Sequence, residues 1–515
     1  MKKKIVLLLA GVMLLSACAR KVDELSHDFP DAWGSAVESV SDSPSEEQEI
    51  PAAEAGLPLV QIRTLNAVRY AEDGETELAE ITEDVVTLSG AGYEKGAEAV
   101  ERLLGRNQAD VDESADGMLS MAAEHYETTR GDESAFFAPY YSYSECEVTR
   151  LDARVLSVRH HGYDYSGGAH GYGSEWGTTI DLESGLKLEL PHLMEDVAGF
   201  WIKAEELVLS DLAEREDELF EDYQSSVSQQ LESTAWYLDG AGIEFCFNPY
   251  AIGPYVTGTI VVCVPYAEVA SYMKPEYLNT QEEYVVCVPE NEKVQFAGIG
   301  GETMEVAFEN RMSDEYSNEL FMVLNGQETS LGENLWLCRS YLFRRADGRT
   351  FLVYTFDWAS DDFETVVCEV TEGTVNDTDR IWAAISKNSV GLYRLELDFS
   401  IQVLGSYHSN MEYRLTEDGK LESTEERYEI IRQEESPGLL VIKDLPVEAE
   451  GGQTVVPAGG RIRVVATDNE GVAWFETMDG SMTGTIRYER REDDYQLYID
   501  GVSEYEYFEE LPYAG

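Results

Sequence analysis

Four of the seven histidines lie within or just after residues 160–190, close to three acidic residues. The histidines are His160, His161, His170 and His192, and the acids are Asp164, Glu175 and Asp181. Imidazole and carboxylate groups are common ligands of transition metals, so this grouping could hold a metal ion. Adjacent residues of a strand point to opposite faces, however, so His160 and His161 cannot join one site without a bulge. We therefore expect neither a metal nor another cofactor to bind this segment.

The glycines around His170 predict a shaped loop. Residues 166–173 read SGGAHGYG, and glycine permits the positive φ angles that tight turns require. Within such a loop, we expect His170 to hydrogen-bond the backbone rather than to ligate a metal.

A second shaped loop is predicted at residues 248–255, which read NPYAIGPY. Its tyrosines could stack on a sugar or pack beneath the loop, and we expect packing for at least one of them. The two segments together supply the candidate ligand-binding residues, which are Tyr163, Tyr165, His170, Asn248, Tyr250 and Tyr255.

Six cysteines follow Cys18 and are widely scattered: Cys146, Cys246, Cys263, Cys287, Cys338 and Cys368. No two of them form a CxxC pair, so the pattern gives no support for a zinc site or a thioredoxin-type redox site. Several lie in apolar runs typical of strands, where cysteine behaves as a small buried hydrophobe. An exported chain can also form disulfides, and Cys246 could face Cys263 across a hairpin. The pairing of the six is left open.

The sequence carries no complete catalytic motif. It has no Gly-x-Ser-x-Gly nucleophile elbow and no phosphate-binding glycine loop. Residues 110–121 begin like a calcium loop, but Ala115 takes the required glycine position and Met121 the bidentate acid position. Paired acids are so frequent that a glycosidase dyad can be neither nominated nor excluded. We therefore nominate no catalytic residue and expect a non-enzymatic protein.

The first eighteen residues have the layout of a secretory signal peptide. Three lysines precede an apolar run at residues 5–15, and Leu15-Ser16-Ala17-Cys18 follows. This ending resembles a bacterial lipobox, which implies a thioether-linked lipid on Cys18 and an outward-facing protein anchored to the cell membrane. The run is shorter than the ~20 residues that cross a bilayer. We find no second apolar run of that length and expect no other segment to cross the membrane.

The balance of charge restricts the partners. The chain has 100 acidic and 37 basic residues and a formal net charge of -63. Such a field repels nucleic acid and anionic polymers and attracts cationic partners. We therefore expect no nucleic-acid partner. The same charge would also keep the protein soluble at a crowded anionic surface.

Composition and periodicity divide the chain beyond the signal peptide of residues 1–18. Residues 19–56 are polar and acidic and predict a disordered tether. Residues 57–275 mix helix and strand patterns and predict an α+β envelope-binding domain. Residues 282–433 show short strands with turn signals and predict an all-β domain. Residues 437–515 predict a small β-barrel-like module.

The α+β domain must position the candidate residues, and its pattern predicts an antiparallel sheet with packed helices. It has a first part at residues 57–170 and a second part at residues 171–275. Helical periodicity marks residues 93–127, with a break near Gly105 or Gly117, and residues 195–231. Alternation, β-branched residues and turn signals predict strands at residues 59–69, 78–88, 140–158, 176–190 and 236–266. The chain as a whole is thus predicted to be a multi-domain lipoprotein, α+β and then all-β.

Two ordered motifs carry a family resemblance. The first lies in residues 160–190 and reads HHGYDYSGGAHGYGSEWGTTIDLESGLKLEL. The second, residues 245–258, fits the pattern FxFNPYxIxPYxxG. Both resemble the extracellular domain shared by the lysozyme-responsive anti-sigma-V factor and the non-catalytic N-terminal region of peptidoglycan deacetylases. The C-terminal module is similar, more loosely, to bacterial Src-homology-3-like domains.

The resemblance implies binding at the cell envelope. In the anti-sigma factor the external domain recognises lysozyme, and in the deacetylases the equivalent domain is non-catalytic. The present chain shows neither a cytoplasmic anti-sigma segment nor the metal-binding motifs of a polysaccharide deacetylase. The leading hypothesis is a non-enzymatic surface lipoprotein that binds a cationic protein such as lysozyme, or a peptidoglycan fragment. The alternative is an enzyme or accessory subunit in peptidoglycan modification.

Overall fold

The computed structural model describes residues 56–130, 137–278, 282–298, 301–312, 317–358, 362–371, 373–431, 437–491 and 494–513. The predicted signal peptide, the lipidation site Cys18 and all but the last residue of the predicted tether lie outside these residues. Two compact units are formed, Val60–Ala297 and Gly298–Gly515. Among the described residues, no helix is both long enough and apolar enough to span a membrane.

The first unit combines strands and helices. In chain order these are β1 (Leu59–Tyr70), β2 (Glu77–Ser89), α1 (Glu94–Leu104), α2 (Gln108–Thr129), β3 (Tyr140–Asp152), β4 (Val155–Tyr165), β5 (Tyr172–Asp181), β6 (Leu186–Lys187), α3 (Leu190–Leu193), α4 (Val197–Leu212), α5 (Tyr223–Gln230), β7 (Ala235–Leu238), β8 (Gly242–Phe247), β9 (Ile260–Pro265), α6 (Tyr266–Val269), β10 (Tyr284–Cys287) and β11 (Val294–Ala297). Short 3-10 helices lie at Ala213–Glu218, Leu231–Ser233, Tyr255–Thr257, Ala270–Tyr272 and Pro275–Tyr277.

The larger sheet of this unit is built around β3 and β4. Strands β3, β4, β5 and β6 form an antiparallel meander. Strand β1 pairs with β2, and β2 runs parallel to the first half of β3. Strand β10 pairs antiparallel with the end of β3. The predicted sheet with packed helices is therefore confirmed, and it contains one parallel pair besides its antiparallel ones.

Helices α1 and α2 cover β2. The predicted break falls at Gly105, while Gly117 lies within α2. Asn107 then begins α2 with a capping box, because its side chain accepts a hydrogen bond from the backbone N–H of Asp110 and the Asp110 carboxylate accepts one from the N–H of Asn107. The apolar face of α2 buries Val111 and Ala115 against residues of β1 and β2.

A smaller antiparallel sheet, β7–β8–β9, forms the second layer. Helices α4 and α5 cover one face of it. Their buried side chains, which share one apolar core with β8 and β9, are Phe200, Ala204, Val208, Leu212, Tyr223 and Val227. This core follows the helical periodicity predicted for residues 195–231, although the helix is interrupted between α4 and α5.

The two sheets of the first unit contact each other closely. The Thr149 hydroxyl donates a 2.6 Å hydrogen bond to the carbonyl of Leu238 on β7, and the Leu238 N–H donates to the Ser157 hydroxyl at 2.9 Å. Gly177 of β5 lies so near β7 that a Cβ placed there would be 2.1 Å from the carbonyl oxygen of Trp236. Glycine is therefore required at this crossing.

The second unit is all-β in its described elements, apart from a terminal 3-10 helix at Glu504–Glu506. Its strands are β12 (Thr303–Met312), β13 (Asn318–Leu324), β14 (Gln327–Glu333), β15 (Trp336–Arg344), β16 (Thr350–Asp357), β17 (Phe363–Thr371), β18 (Thr374–Ile381), β19 (Ala384–Gly391), β20 (Arg394–Gln402), β21 (Ser406–Leu415), β22 (Leu421–Ser423), β23 (Tyr428–Ile430), β24 (Leu439–Leu440), β25 (Leu445–Ala449), β26 (Gly452–Val456), β27 (Arg461–Thr467), β28 (Val472–Thr477), β29 (Thr483–Arg487), β30 (Glu489–Arg491), β31 (Asp494–Ile499) and β32 (Val502–Ser503). The order of α+β followed by all-β structure is confirmed.

Tight turns and antiparallel strand pairs build the second unit. Asn325 and Gly326 join β13 to β14 with φ angles of 49° and 76°, as a two-residue hairpin requires. Near the C-terminus, five strands pair antiparallel in the order β26–β25–β29–β28–β27. The described part of residues 437–515 contains the short strands β24 to β32 and falls in the same compact unit as the preceding strands. That these residues form a small β-barrel-like module stays a prediction.

Candidate functional site

A ladder of aromatic rings crosses one face of β3 and β4. Its members, which we call the aromatic ladder, are Tyr141, Tyr143, His161, Tyr163 and Tyr165. The register places Tyr141 opposite Tyr165 and Tyr143 opposite Tyr163, so their side chains share one face. Alternation along each strand thus brings two pairs of tyrosines, each two residues apart, into a single surface.

The rings of the ladder stack across the strands in a zigzag. The ring of Tyr163 lies between those of Tyr141 and Tyr143, with centroid separations of 5.8 and 5.7 Å and interplanar angles of 11° and 10°. Tyr141 also stacks on Tyr165 at 5.5 Å, and Tyr143 contacts His161 at 5.9 Å. Stacked aromatic pairs contribute ~0.5–1.5 kcal/mol beyond their buried area, so the surface is held before any ligand arrives.

The glycine-rich loop after β4 folds against the ladder. The Gly171 N–H donates a 3.1 Å hydrogen bond to the hydroxyl of Tyr163, and the Tyr165 hydroxyl donates to the carbonyl of Gly168 at 3.2 Å. A Cβ on Gly171 would lie 2.4 Å from the Tyr163 ring. Glycine is needed at this position because the loop backbone rests directly on the aromatic ring.

His170 connects this loop to the loop after β8. Its Nδ1 lies 2.8 Å from the carbonyl oxygen of Gly171, which is the backbone hydrogen bond expected for it. Its ring stacks on Tyr255 at 4.0 Å, and Tyr255 lies 6.0 Å from Tyr250. We call His170, Tyr250 and Tyr255 the loop cluster. The two motifs, which are separate in sequence, therefore meet at one place, as the hydrogen bonds between Asn248 and Glu175 across 73 residues also show.

Tyr250 is the exposed member of the loop cluster. It is 55% exposed and has a φ angle of 71°, a left-handed conformation that is uncommon outside glycine, asparagine and aspartate. Its N–H bonds to the carbonyl of Gly253 at 3.1 Å, which closes the turn. Tyr255 instead packs against His170, so the expectation that at least one loop tyrosine packs is confirmed.

Asn248 holds the second loop against β5. Its Oδ1 accepts the N–H of Glu175 at 2.7 Å, and its Nδ2 donates to the Glu175 carbonyl at 3.0 Å. Thr259 adds a 3.1 Å hydrogen bond to Oδ1. Its amide is thus paired with the protein through both Oδ1 and Nδ2, and these contacts give Asn248 a positioning role in the loop.

Beyond the tyrosines, the same face of the sheet carries charged side chains. Strand register places Glu145 opposite His161, and His161 opposite Glu175. Glu147 pairs with Arg159 at 2.6 Å, and this ion pair raises the pKa of Arg159. The Oε2 of Glu175 is buried and has no hydrogen-bond partner. Three carboxylates and one guanidinium therefore border the rings, which favours cations.

The four clustered histidines have four different surroundings. His160 is buried, stacks on Trp176 at 5.0 Å and lies 3.1 Å from the Thr178 hydroxyl; burial lowers its pKa to about 4. His161 belongs to the aromatic ladder and lies 3.7 Å from Glu175. The Nδ1 of His192 accepts the backbone N–H of Glu189 at the start of α3. Their separate roles agree with the argument that adjacent strand residues diverge.

The cysteines are also placed by strand register. None of the six cysteines that the structure describes forms a disulfide. Cys263 lies opposite Glu244 rather than opposite Cys246, which pairs with Val261. The suggestion that Cys246 and Cys263 face each other across the hairpin is therefore wrong, because the register is offset by two residues.

Two features of this unit are absent from the residues that the sequence predicts for the site. One is the contribution of Tyr141 and Tyr143, which the alternating run YYSYS would have suggested. The other is a group formed by Glu244, Cys263 and Glu292, whose potential ligand atoms all lie within 4.8 Å of one another. Among the described residues it is the one set of three histidine, cysteine or acidic side chains that meets this distance.

Comparison with known proteins finds one family. The model of DUF3298, described as a protein of unknown function, matches residues 203–267, from α4 to α6. A solved DUF3298 member from Bacteroides fragilis is 18% identical, with a TM-score of 0.34 over 43% of this chain and 95% of its own. A DUF3298 protein from Pseudomonas aeruginosa is 18% identical, with a TM-score of 0.29 over 42% and 94%. No curated protein matches the chain. The segment that carries Asn248, Tyr250 and Tyr255 is thus similar to DUF3298.

Proposed function

We propose that the first unit is a recognition domain whose aromatic ladder and loop cluster bind a cationic protein at the cell envelope, such as lysozyme. The observation that carries the proposal is the stacked face of Tyr141, Tyr143, Tyr163 and Tyr165, bordered by carboxylates. Tyrosine supplies large contact area at low entropic cost, and it is enriched where proteins recognise one another. The resemblance to the lysozyme-responsive extracellular domain supports the same ligand class.

Charge supports a cationic partner over an anionic one. The net charge of -63 would accelerate association with a basic protein and would repel nucleic acid and anionic wall polymers. Within the ladder's own face, Glu145, Glu147 and Glu175 outnumber Arg159. The rings would then provide contact area, and the carboxylates would orient the cationic partner.

A pull-down of lysozyme by the purified full-length chain at low and high ionic strength tests this proposal. We expect capture at low salt and a marked loss at high salt, because screening shortens the range of exposed charges. Absence of capture at low salt would contradict the proposal, since a complex driven by this charge is strongest there.

A peptidoglycan glycan is the second candidate ligand. The near-parallel rings of Tyr141, Tyr163 and Tyr143 favour it, because interplanar angles of 11° and 10° provide flat faces on which sugar rings could stack. Stacking on a neutral sugar depends little on salt. Co-sedimentation with purified peptidoglycan that persists at high salt would therefore support the glycan, and sedimentation at neither salt concentration would exclude it.

The location of the protein is part of the proposal. We infer that the chain is exported and anchored through a lipid on Cys18, because Leu15-Ser16-Ala17-Cys18 follows a basic and apolar leader. The binding face would then meet ligands outside the membrane. Release of the protein from membranes by Cys18→Ser, with loss of the lipid mass, is the expected result; unchanged membrane association would contradict it.

A further inference from the structure

The antiparallel register of β8 and β9 places an acid opposite a thiol. Glu244 pairs directly with Cys263, so both side chains lie on the same face of the smaller sheet. Glu292 approaches from the connection between β10 and β11, just after Asn291, whose φ angle is 64°. The carboxylate oxygens of Glu244 and Glu292 and the Sγ of Cys263 all lie within 4.8 Å of one another. Three separate stretches of chain therefore converge on one point.

The carboxylate of Glu244 is buried and has no partner outside this group. The residue is 1% exposed, and only the side chains of Cys263 and Glu292 lie beside its carboxylate oxygens. One carboxylate oxygen of Glu292 is also buried. A buried carboxylate is strongly disfavoured in its ionised form unless it is paired or coordinates a metal, and otherwise it takes up a proton. A bound cation would replace that proton and stabilise the ionised form.

The charged neighbours of Glu244 are acids. Asp239 and Glu292 are the groups whose charge acts on it. Asp239 cannot supply a compensating charge, because it is itself an acid whose Oδ1 accepts the N–H groups of Ala241 and Gly242 at 2.8 and 3.0 Å. The site is therefore negative whenever its side chains ionise, and a divalent cation would offset that charge.

We propose that Glu244, Cys263 and Glu292 bind a divalent transition metal, with Zn²⁺ as the ion that best fits the donors. One thiolate with two carboxylates suits Zn²⁺ better than the hard cations Ca²⁺ and Mg²⁺, which take oxygen ligands. Tetrahedral zinc with these ligands sets donor atoms ~3.5 Å apart, so side-chain rotation closing the present separation by roughly 1 Å would suffice. Cys263 and the carboxyl groups would release their protons to solvent on binding.

The site would leave one coordination position open. The chain supplies three ligands, and Cys263 and Glu292 are partly exposed, so water can complete the tetrahedron. The ion would also tie the segment before β11 to the β8–β9 hairpin, from which the loop with Tyr250 continues. Metal binding is thus expected to stabilise the first unit by mass action.

Cobalt titration of the chelator-treated full-length chain tests the site, because Co²⁺ replaces Zn²⁺ in tetrahedral sites and reports a thiolate ligand by its near-ultraviolet charge-transfer absorption. We expect one equivalent of Co²⁺ to produce that band and one equivalent of Zn²⁺ to abolish it. Absence of the band in the wild-type chain would overturn the proposal, whatever the variants do.

Three variants separate this site from adventitious binding to an acidic surface. Cys263→Ser should abolish the band, and Glu292→Gln should weaken Zn²⁺ binding by at least about tenfold. Cys246→Ser, which changes a cysteine two residues from Glu244 on the same strand, should bind as the wild type does. Equal binding by all three would show an adventitious ion only and would overturn the proposal. Because Glu292 is partly exposed, we expect the Glu292→Gln variant to fold. Circular dichroism verifies this.

Discussion

Asn248 and His160 are single side chains that hold a loop and a strand of the proposed binding face in place. The Asn248 amide reproduces the pairing of a strand, accepting from and donating to the backbone of Glu175. It thereby fixes a loop in which Tyr250 adopts a left-handed φ angle. His160 lies beneath the opposite face of β4, where it fills space against Trp176 and bonds Thr178. Asn248 thus positions the loop, and His160 packs the opposite side of the strand that carries Tyr163 and Tyr165.

The buried His160 predicts a loss of stability in acid. Its folded pKa is lowered to about 4 from 6.5 because burial disfavours the charged ring. Between these two pKa values the unfolded chain therefore binds more protons than the folded one. The contribution of His160 to the free energy of unfolding is complete above pH 6.5 and falls as the pH drops toward 4. The total loss is up to ~3 kcal/mol. Denaturation of the wild type and His160→Gln across this range should show a shallower slope for the variant. Parallel slopes would contradict the prediction.

At the scale of elements, one β-bulge aligns the tyrosines. The register of β3 and β4 shifts between Val148 and Arg150, and Thr149 is the extra residue. Without that shift, Tyr141 would lie opposite Ser166 instead of Tyr165, and the two pairs of tyrosines would point to opposite faces. Thr149 is held there by its hydrogen bond to Leu238 of the second sheet.

This bulge explains what the sequence could and could not predict. Alternation and helical periodicity predicted most strands and helices of the first unit, and they predicted a helix break near Gly105 or Gly117, which the structure has at Gly105. Local patterns do not encode a one-residue slip that depends on a contact 89 residues away, and so the ladder could not be derived from them. The same reason accounts for the wrong pairing of Cys246 with Cys263, and for Glu292, which no local motif links to Glu244.

The contacts of Arg150 predict that the stability of the first unit depends strongly on this one side chain. Its fully buried guanidinium donates to Asp152, to the Tyr266 hydroxyl and to the carbonyls of Tyr277 and Leu278, so β3 is bound to the segment after β9. Replacing it with methionine leaves Asp152 without its guanidinium partner, and we expect a loss of ~3–5 kcal/mol in the free energy of unfolding.

Chemical denaturation measures this loss, and an exposed ion pair provides the control. Arg130 pairs with Glu127 at 3.1 Å, with both side chains more than 60% exposed. Arg130→Met should leave the free energy of unfolding nearly unchanged, because an exposed ion pair contributes little to stability. If Arg150→Met costs no more than Arg130→Met, the buried arginine does not join these elements.

At the scale of the whole molecule, the candidate functional features described above lie in the first unit. The first unit holds the ladder, the loop cluster, the segment similar to DUF3298 and the group around Glu244. The second is a succession of strands and tight turns, such as the hairpin at Asn325 and Gly326. We therefore expect that substitutions in the first unit, and not in the second, abolish the proposed binding.

The affinity of the full-length chain for lysozyme tests the central claim most directly. Removing two ladder rings in Tyr141→Ala/Tyr163→Ala should weaken binding about 10- to 30-fold at low salt, as expected when a contact-rich aromatic centre is truncated. Tyr495→Ala removes a fully exposed tyrosine of the second unit and should bind as the wild type does. Equal affinity for the ladder variant and this control, with both folded by circular dichroism, would contradict the claim that the aromatic ladder is the binding surface.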